Sequence, residues 1–339
     1  MLRRKSVFGG GSGLKRMIIS GVLFLTCLLT AGLAALPLAA EEMKASTMAE
    51  AQKHPGMMAA MNMPVEHPMM KPAHYTDKGK CPNCGMMLNM WARTRHQYHL
   101  DGAEEETCSI HCLAERAARQ GKDAADVKVA LYLAPEKMIP AEQAVYVIGS
   151  EAPGTMTNIS KLAFADRAAA EKFVADYGGV ISDYGRAYQQ AVAQLGKDRA
   201  SIDTKRKKSG KIIEPTAADR CVVCGMPPAN YPNNRAQILT SDNKTLHFCS
   251  GRCLVYFMAD PSQYGHAGVK PMFIWATVFP EAMYDYAAGL FYVAGSKGLG
   301  PMGPEPFAFR TRKDAADFMA EKGGAFMPFE KLTPAEIVR

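Results

Sequence analysis

The strongest constraint on the fold of this chain is an internal repeat that carries most of its cysteines. Each half contains a Cys-x-x-Cys-Gly-Met motif followed by a Cys-x-x-x-Cys motif. The residues are Cys81, Cys84, Met86, Cys108 and Cys112 in the first half, and Cys221, Cys224, Met226, Cys249 and Cys253 in the second. Further on, Gly154-Thr-Met156 matches Gly300-Pro-Met302. Similarity this long indicates duplication of a complete domain of about 120 residues, which is large enough to bury its own core.

Within each repeat, the pattern of apolar residues predicts an alternation of short strands and helices, which is an α+β fold. The predicted helices cover 109–119, 166–177, 251–259 and 311–322. The predicted strands cover 97–100, 127–134, 144–149, 236–239, 246–248, 272–279 and 291–295. The later helix of each repeat ends at a Gly-Gly pair, where glycine accepts the conformation of a helix C-cap. We therefore expect two tandem homologous domains, each built from small ββα-type subdomains.

Composition divides the chain into five segments. They are an export signal or N-terminal anchor at 1–40, a disordered tail rich in methionine and histidine at 41–76, a first domain at 77–196, a basic linker at 197–216 and a second domain at 217–339. The linker prediction rests on the sequence KDRASIDTKRKKSGK at 197–211, which is charged and almost without apolar anchors. Such a segment is expected to be solvated.

The N-terminal segment predicts export from the cytoplasm. Basic residues within 3–16 precede an almost wholly apolar stretch from Met17 to Ala40, and the small residues at its end fit a cleavage site. The stretch is also long enough to serve as a single-span anchor, which would associate the chain with a membrane. We expect the rest of the chain to function in a bacterial periplasm, an oxidising compartment.

The charge distribution argues against nucleic-acid binding. The formal net charge is +7, but five of the 40 Lys and Arg residues lie in 1–40, which leaves 35 against 33 Asp and Glu. A nearly balanced chain predicts no basic face for a polyanion. The sequence also has no nucleophile-elbow, HExxH, Walker or dinucleotide motif, so we do not expect an enzyme.

The eight repeated cysteines have the spacing of metal ligands. In each repeat, 23 or 24 residues separate the C-x2-C pair from the C-x3-C pair. A two-residue gap lets a tight turn aim both sulfurs at one point, and cysteines four apart at the start of a helix share a face. Three interpretations stay open: a closed structural zinc site in each domain, disulfide or redox chemistry, and a soft metal such as copper(I). His99, His111 and His247 lie near the cysteines and are weaker candidate ligands.

Methionines favour the copper(I) interpretation, because thiolate and thioether sulfur select this ion over hard cations. Met86 and Met226 each lie two residues after a CxxC motif. The segment 43–75 adds eight methionines, three histidines and four prolines, and the prolines exclude a continuous helix. Thioethers form no disulfides, so this segment is suited to capturing a metal ion outside the cell. A low-complexity tail that binds a partner protein is the alternative.

The chain resembles the NosL family, the accessory proteins of nitrous-oxide reductase maturation. The resemblance rests on CxxCGM, the later Gly-x-Met, an Ala-Phe pair and the helix that ends at Gly-Gly, and it covers about 240 residues in the two halves. It implies a tandem NosL protein whose domains consist of small α+β subdomains, of the type also seen in organomercurial lyase. The stretch 221–264 is also similar to the YHS and TRASH metal-binding modules.

The resemblance implies a copper(I) metallochaperone that delivers copper to nitrous-oxide reductase or another periplasmic copper enzyme. The positions that match the family pattern are Cys84, Met86, Met156, Cys224, Met226 and Met302. The second cysteine pair of each repeat, Cys108 with Cys112 and Cys249 with Cys253, is closer to the YHS pattern. That pair shares the same ion, holds a separate zinc or forms a disulfide. Together with Cys81 and Cys221, these residues are the predicted metal ligands. The alternative function is a zinc-knuckle or disulfide-stapled interaction module without metal transfer.

Overall fold

The computed structural model describes residues 79–338. The predicted export signal or anchor at 1–40 and the predicted methionine-rich tail at 41–76 lie outside the described residues. Within the described part of the chain, no helix combines the length and the apolar character needed to cross a bilayer.

The first repeat contains a four-stranded and a three-stranded antiparallel sheet. Its elements are β1 (His96–Leu100), β2 (Ala103–Thr107), α1 (Ile110–Gln120), β3 (Ala125–Ala130), β4 (Met138–Pro140), β5 (Val145–Ile148), β6 (Lys161–Phe164), α2 (Arg167–Tyr177), β7 (Val180–Ser182) and α3 (Tyr184–Lys208). The strand orders are β2-β1-β3-β4 and β6-β5-β7. Asp101 and Gly102 join β1 to β2 and both have positive φ, as a two-residue hairpin turn requires.

The second repeat has the same arrangement with one extra hairpin. Its elements are β8 (Ala236–Thr240), β9 (Thr245–Phe248), α4 (Gly251–Ala259), β10 (Pro271–Val278), β11 (Met283–Tyr286), β12 (Phe291–Ala294), β13 (Leu299–Gly300), β14 (Gly303–Pro304), β15 (Phe307–Phe309), α5 (Arg312–Lys322), β16 (Ala325–Met327) and α6 (Pro334–Ile337). The sheets have the orders β11-β10-β8-β9 and β15-β12-β16, and β13 pairs with β14.

These elements confirm the predicted α+β class and the tandem homologous domains. In each repeat a hairpin of the larger sheet leads directly into a helix, β1-β2 into α1 and β8-β9 into α4, which is the predicted ββα unit. The predicted strand at 127–134 is too long, because the chain leaves the sheet after Ala130. The Tyr132 N–H donates instead to the Ala163 carbonyl at 2.8 Å and so joins the two sheets of the repeat.

The connection between the repeats is helical, whereas the sequence predicted a solvated linker at 197–216. Helix α3 continues through Lys208. Its first half packs Ala187 and Ala191 into the core of the first repeat. Its second half is charged, yet Asp198 is only 2% exposed. Most of the segment 197–211 is exposed, but it is part of a helix rather than an irregular linker. Asp198 and Arg206 pair with buried charges of the first and second repeat, which offsets the cost of taking these two side chains out of water.

Candidate metal centres

Each CxxCGM motif forms a tight turn that holds both cysteines on one side. In the first repeat the Cys81 N–H donates to the Met86 carbonyl at 2.8 Å, and the Gly85 N–H donates to the Cys81 carbonyl at 2.9 Å. The second repeat has the same two bonds, at 2.9 and 2.8 Å. Gly85 and Gly225 both have a φ of +76°. Glycine adopts this left-handed conformation without steric cost, which explains its place in the motif.

The second cysteine pair of each repeat lies at the N-terminus of a helix, α1 or α4. The Ser109 side chain caps α1 by accepting a hydrogen bond from the Cys112 N–H at 3.3 Å. Ser250 caps α4 in the same way, with the Cys253 N–H at 3.1 Å. The capping serine lies between the two cysteines of each pair, so the start of the helix directs both sulfurs towards the CxxC turn.

The four sulfurs of each repeat converge on one point. Within each group the Sγ atoms all lie within 4.8 Å of one another, and the groups are Cys81, Cys84, Cys108 and Cys112, and Cys221, Cys224, Cys249 and Cys253. Cys108 Sγ lies 3.6 Å from Cys84 Sγ and 3.5 Å from Cys112 Sγ. The Cys249 sulfur lies 3.4 Å from that of Cys224.

These separations fit ligands that surround one ion. Four sulfurs placed tetrahedrally at about 2.3 Å from a metal lie about 3.8 Å from each other. A disulfide needs a sulfur–sulfur distance of about 2.05 Å, and all eight cysteines are free thiols. The geometry therefore favours metal coordination over disulfide bridges, and the residues present fit a soft metal ion.

The thiols of each group influence one another through hydrogen bonds. Burial raises the pKa of Cys81, but hydrogen bonds with the other three thiols of its group outweigh burial and hold the pKa well below its usual value. Hydrogen bonds with two neighbouring thiols lower the pKa of Cys221 in the same way. The pKa of Cys108 and of Cys249 is raised, because each hydrogen-bonds to neighbouring sulfurs through its own thiol proton.

A methionine borders each cysteine group, as the sequence predicted. Met86 packs against the apolar cluster that contains the cysteines of the first repeat, and so does Trp91. Met226 packs against the corresponding cluster of the second repeat. Each group therefore has a thioether beside its thiols.

The later predicted methionines, Met156 and Met302, have different surroundings. Met156 packs against the first cysteine cluster, and its φ of +59° is uncommon for a residue other than glycine. Met302 lies in the turn between β13 and β14 and is 37% exposed. Among the described residues, the apolar cluster of the second repeat's cysteines does not include Met302. Met156 therefore lies beside its cysteines, whereas Met302 lies in a partly exposed turn.

A buried network of charges connects the first CxxC turn to the second repeat. The Asn83 amide, inside the turn, donates to Glu115 at 2.7 Å. Arg119 donates to Glu115 at 3.0 Å and to Asp285 on β11 at 2.6 Å. Asp285 also accepts a hydrogen bond from Arg310 at 2.6 Å. All five side chains belong to residues that are at most 5% exposed. Sequence reasoning missed this network, because partners up to 166 residues apart follow no local pattern.

His111 belongs to this network, and both of its ring nitrogens lie near carboxylates. Its ring nitrogens lie 3.5 Å from Glu115 and 3.4 Å from Asp198 on α3. Burial alone lowers the pKa of His111, but the two carboxylates outweigh burial and raise the pKa to about 9. The groups of candidate metal ligands among the described residues contain only cysteine.

The fold and its sites define a class of protein: a tandem α+β protein with one four-cysteine metal-binding cluster in each repeat. The NosL family model matches residues 72–192 and 212–337. The chain belongs to the NosL family and contains two family domains in tandem, which confirms the resemblance found in the sequence.

A solved structure is similar to part of the chain. The crystal structure of the copper chaperone NosL from Shewanella denitrificans is 28% identical, covers 37% of this chain and 96% of its own chain, and has a TM-score of 0.33. Comparison with curated proteins gives no match.

Proposed function

We propose that this protein is an exported copper(I) metallochaperone that carries the ion to nitrous-oxide reductase or another periplasmic copper enzyme. The observation that carries the proposal is the convergence, in both repeats, of four cysteine sulfurs beside a methionine. Soft sulfur donors favour copper(I) over hard cations. Membership of the NosL family supports the same conclusion.

The chemistry of transfer is ligand exchange without catalysis of a reaction. Each site offers thiols and a neutral thioether within one small apolar cluster. An incoming sulfur ligand from the client can replace these donors one at a time, so the ion never has to pass through water as a free cation. The methionines of 43–70 supply further thioethers for capture of the ion.

Copper(I) competition with the chelator bathocuproine disulfonate tests the proposal on the purified, reduced protein. We expect two tightly held copper(I) ions. Met86→Leu and Met226→Leu should each weaken copper(I) binding at one site by about tenfold or more, because leucine keeps the volume and removes the thioether. Zinc affinity serves as the control, and it should change little because all cysteines remain.

A structural zinc protein is the second candidate, and the near-tetrahedral spacing of four sulfurs favours it. Two firmly bound zinc ions, with copper uptake indifferent to Met86 and Met226, would replace the chaperone proposal by an interaction module without metal transfer. A protein with no free thiols and no metal would instead support the disulfide version of that module.

Export is part of the proposal and rests on the basic and apolar segments within 1–40. Cell fractionation followed by N-terminal sequencing distinguishes a cleaved export signal from an uncleaved membrane anchor. A periplasmic chain that begins after Ala40 indicates a cleaved signal, whereas an intact N-terminus in the membrane fraction indicates an anchor. Recovery of the protein in the cytoplasm contradicts export.

A further inference from the structure

The two cysteine sites are equivalent in sequence but differ in their exposure. In the first site Cys84 is 2% exposed and Gly85 is buried. In the second site the equivalent Cys224 is partly exposed and Gly225 is exposed. The difference concerns the CxxC turn, since the second cysteine pair is buried in both repeats.

The second repeat covers the turn of the first site. A Cβ placed on Gly85 would lie 2.6 Å from the ring of Tyr286, and a Cβ placed on Gly289 would lie 2.9 Å from the Asn83 carbonyl oxygen. Both distances are shorter than van der Waals contact, so the two surfaces touch. A Cβ placed on Gly225 would meet nothing within 4 Å. The turn of the second site therefore has no such cover within the described residues.

Hydrogen bonds hold this cover in place. Arg119 of the first repeat donates to Asp285 at 2.6 Å and to the Gly289 carbonyl at 3.2 Å. Lys80, next to the turn, donates to the Met272 carbonyl on β10 at 3.0 Å. The Arg119–Asp285 pair is buried, and breaking a buried pair leaves uncompensated charge. Movement of the second repeat away from the turn would have to break these bonds.

A cleft remains as a path to the first site. Its volume is about 280 Å³, and its lining includes Cys84, Met86, Met156, Trp91, Phe273 and Trp275. Pockets for drug-sized molecules measure about 300–1,000 Å³. The cleft is therefore slightly smaller than such pockets and suits a metal ion or a small complex.

We propose that the two sites have separate roles, in which the second site exchanges copper(I) with protein partners and the first site retains its ion beneath the second repeat. This inference rests on the proposed function. At the second site a cysteine, methionine or histidine of a copper(I)-binding partner can approach Cys224 from the surface. At the first site Tyr286 covers the CxxC turn, which leaves the cleft as the approach to Cys84.

Proteins with one intact site test the inference. Cys81→Ser/Cys84→Ser leaves the second site, and Cys221→Ser/Cys224→Ser leaves the first. Each protein is loaded with one copper(I), bound metal is measured, and release to excess bathocuproine disulfonate is followed by absorbance. We expect the second site to release its ion at least ten times faster than the first.

Two glycine substitutions form a matched pair for the same assay. Gly85→Ala and Gly225→Ala introduce the same left-handed strain, because both glycines have a φ of +76°. Only Gly85→Ala displaces Tyr286. Gly85→Ala should accelerate release from the first site at least five times more than Gly225→Ala accelerates release from the second. Tyr286→Ala, which removes the cover without straining the turn, should act in the same direction as Gly85→Ala.

A measurement on the reduced, metal-free natural chain keeps the test independent of folding of the variants. Iodoacetamide should modify Cys224 at least ten times faster than Cys84, as measured by mass spectrometry of peptides. Equal release rates, or equal modification rates, overturn the inference and leave the proposed function intact. Failure of either single-site protein to retain copper(I) at the loading step overturns the proposed function, and the inference with it.

Discussion

At the scale of single residues, the repeat makes pairs of positions equivalent, and the structure gives some of these pairs different surroundings. Met156 packs against the cysteines of the first repeat, whereas its counterpart Met302 is 37% exposed in a hairpin turn. A thioether supports a metal site only where it can reach the ion. Identity of sequence position is therefore insufficient to assign a ligand.

This difference leads to a prediction for the two methionines. Met156→Leu should lower the copper(I) affinity of the first site by about tenfold, because a sulfur beside the ion is lost. Met302→Leu should lower the copper(I) affinity of the second site by a clearly smaller factor. Chelator competition on the single-site proteins measures both. An equally large effect of Met302→Leu would show that the hairpin closes on the second site when the ion binds.

Glu305 is a second residue whose behaviour follows from its surroundings. It is 3% exposed, and its carboxylate accepts a hydrogen bond from the Gly251 N–H at the start of α4, at 2.8 Å. Burial raises the pKa of Glu305 from the usual 4.5 to about 8, although the hydrogen bond from Gly251 acts in the opposite direction. Burial therefore outweighs the helix N-terminus here.

The raised pKa of Glu305 predicts a pH dependence of stability. Between pH 4.5 and 8 the folded protein holds a proton that the unfolded chain releases. The free energy of unfolding therefore falls as the pH rises through this window, by up to about 1.4 kcal/mol per pH unit. Glu305→Gln should flatten this slope in denaturant titrations across the window. Glu171→Gln, at a side chain that is 57% exposed, is the control and should keep the slope. If the free energy of unfolding still falls with pH after Glu305→Gln, the pH dependence arises from other titratable groups.

At the scale of elements, α3 is the part of the chain that contacts the buried charges of both repeats. Asp198 lies 3.4 Å from His111 of the first repeat. Arg206 lies 3.5 Å from Asp285 of the second repeat, and its guanidinium lies 4.6 Å from the ring centre of Trp275. Charged residues along this helix thus fix the orientation of the two repeats, since each pairs with a group that is itself out of water.

The network predicts a large effect of a small change on β11. Asp285→Asn removes the carboxylate that pairs with Arg119, Arg310 and Arg206. The free energy of unfolding should fall by about 3–5 kcal/mol, because buried guanidinium groups lose their counter-charge. Urea denaturation at neutral pH measures the change.

The matched control for this prediction is the exposed pair of Lys313 and Asp317 on α5. Asp317→Asn should lower the free energy of unfolding by less than about 1 kcal/mol, because surface ion pairs usually contribute no more than that. If Asp285→Asn and Asp317→Asn lower the free energy of unfolding by similar amounts, the buried pairs of Asp285 stabilise the protein no more than a surface ion pair does.

At the scale of the whole molecule, a tandem duplication makes its two sites unequal. The first repeat uses its CxxC turn as a contact surface for β11 of the second repeat. The equivalent turn of the second repeat has no such contact within residues 79–338. The CxxC turn of the first repeat is thus covered, while the CxxC turn of the second repeat is exposed.

Removal of the metal should lower the stability of the molecule as a whole. An ion that binds only the folded state adds RT ln(1 + [L]/Kd), about 4 kcal/mol at a thousandfold excess over Kd. Copper(I)-loaded protein should therefore have a higher midpoint of thermal unfolding than protein treated with a chelator. Calorimetry of both forms measures the difference. A variant that lacks Cys81, Cys84, Cys221 and Cys224 is the control, and an unchanged midpoint in the natural chain would contradict binding to these cysteines.

By itself, the sequence determined the duplication, the helices α1, α2, α4 and α5, seven of the strands, and a cysteine spacing that lets four sulfurs of each repeat meet. These features depend on neighbours along the chain: the two-residue gap of CxxC, the capping serines Ser109 and Ser250, and the Gly-Gly pairs after α2 and α5. Because these local features occur in both repeats, the sequence predicts the same elements twice.

Only the tertiary structure decided that α3 is helical through Lys208, that Met302 is partly exposed in a turn, and that the first CxxC turn is covered while the second is exposed. These outcomes depend on partners distant in the chain, such as Arg119 and Asp285, which are separated by 166 residues. The identity of a charged residue does not indicate whether its side chain contacts water or a buried counter-charge. The physical difference arises only when the folded repeats bring the two charges together.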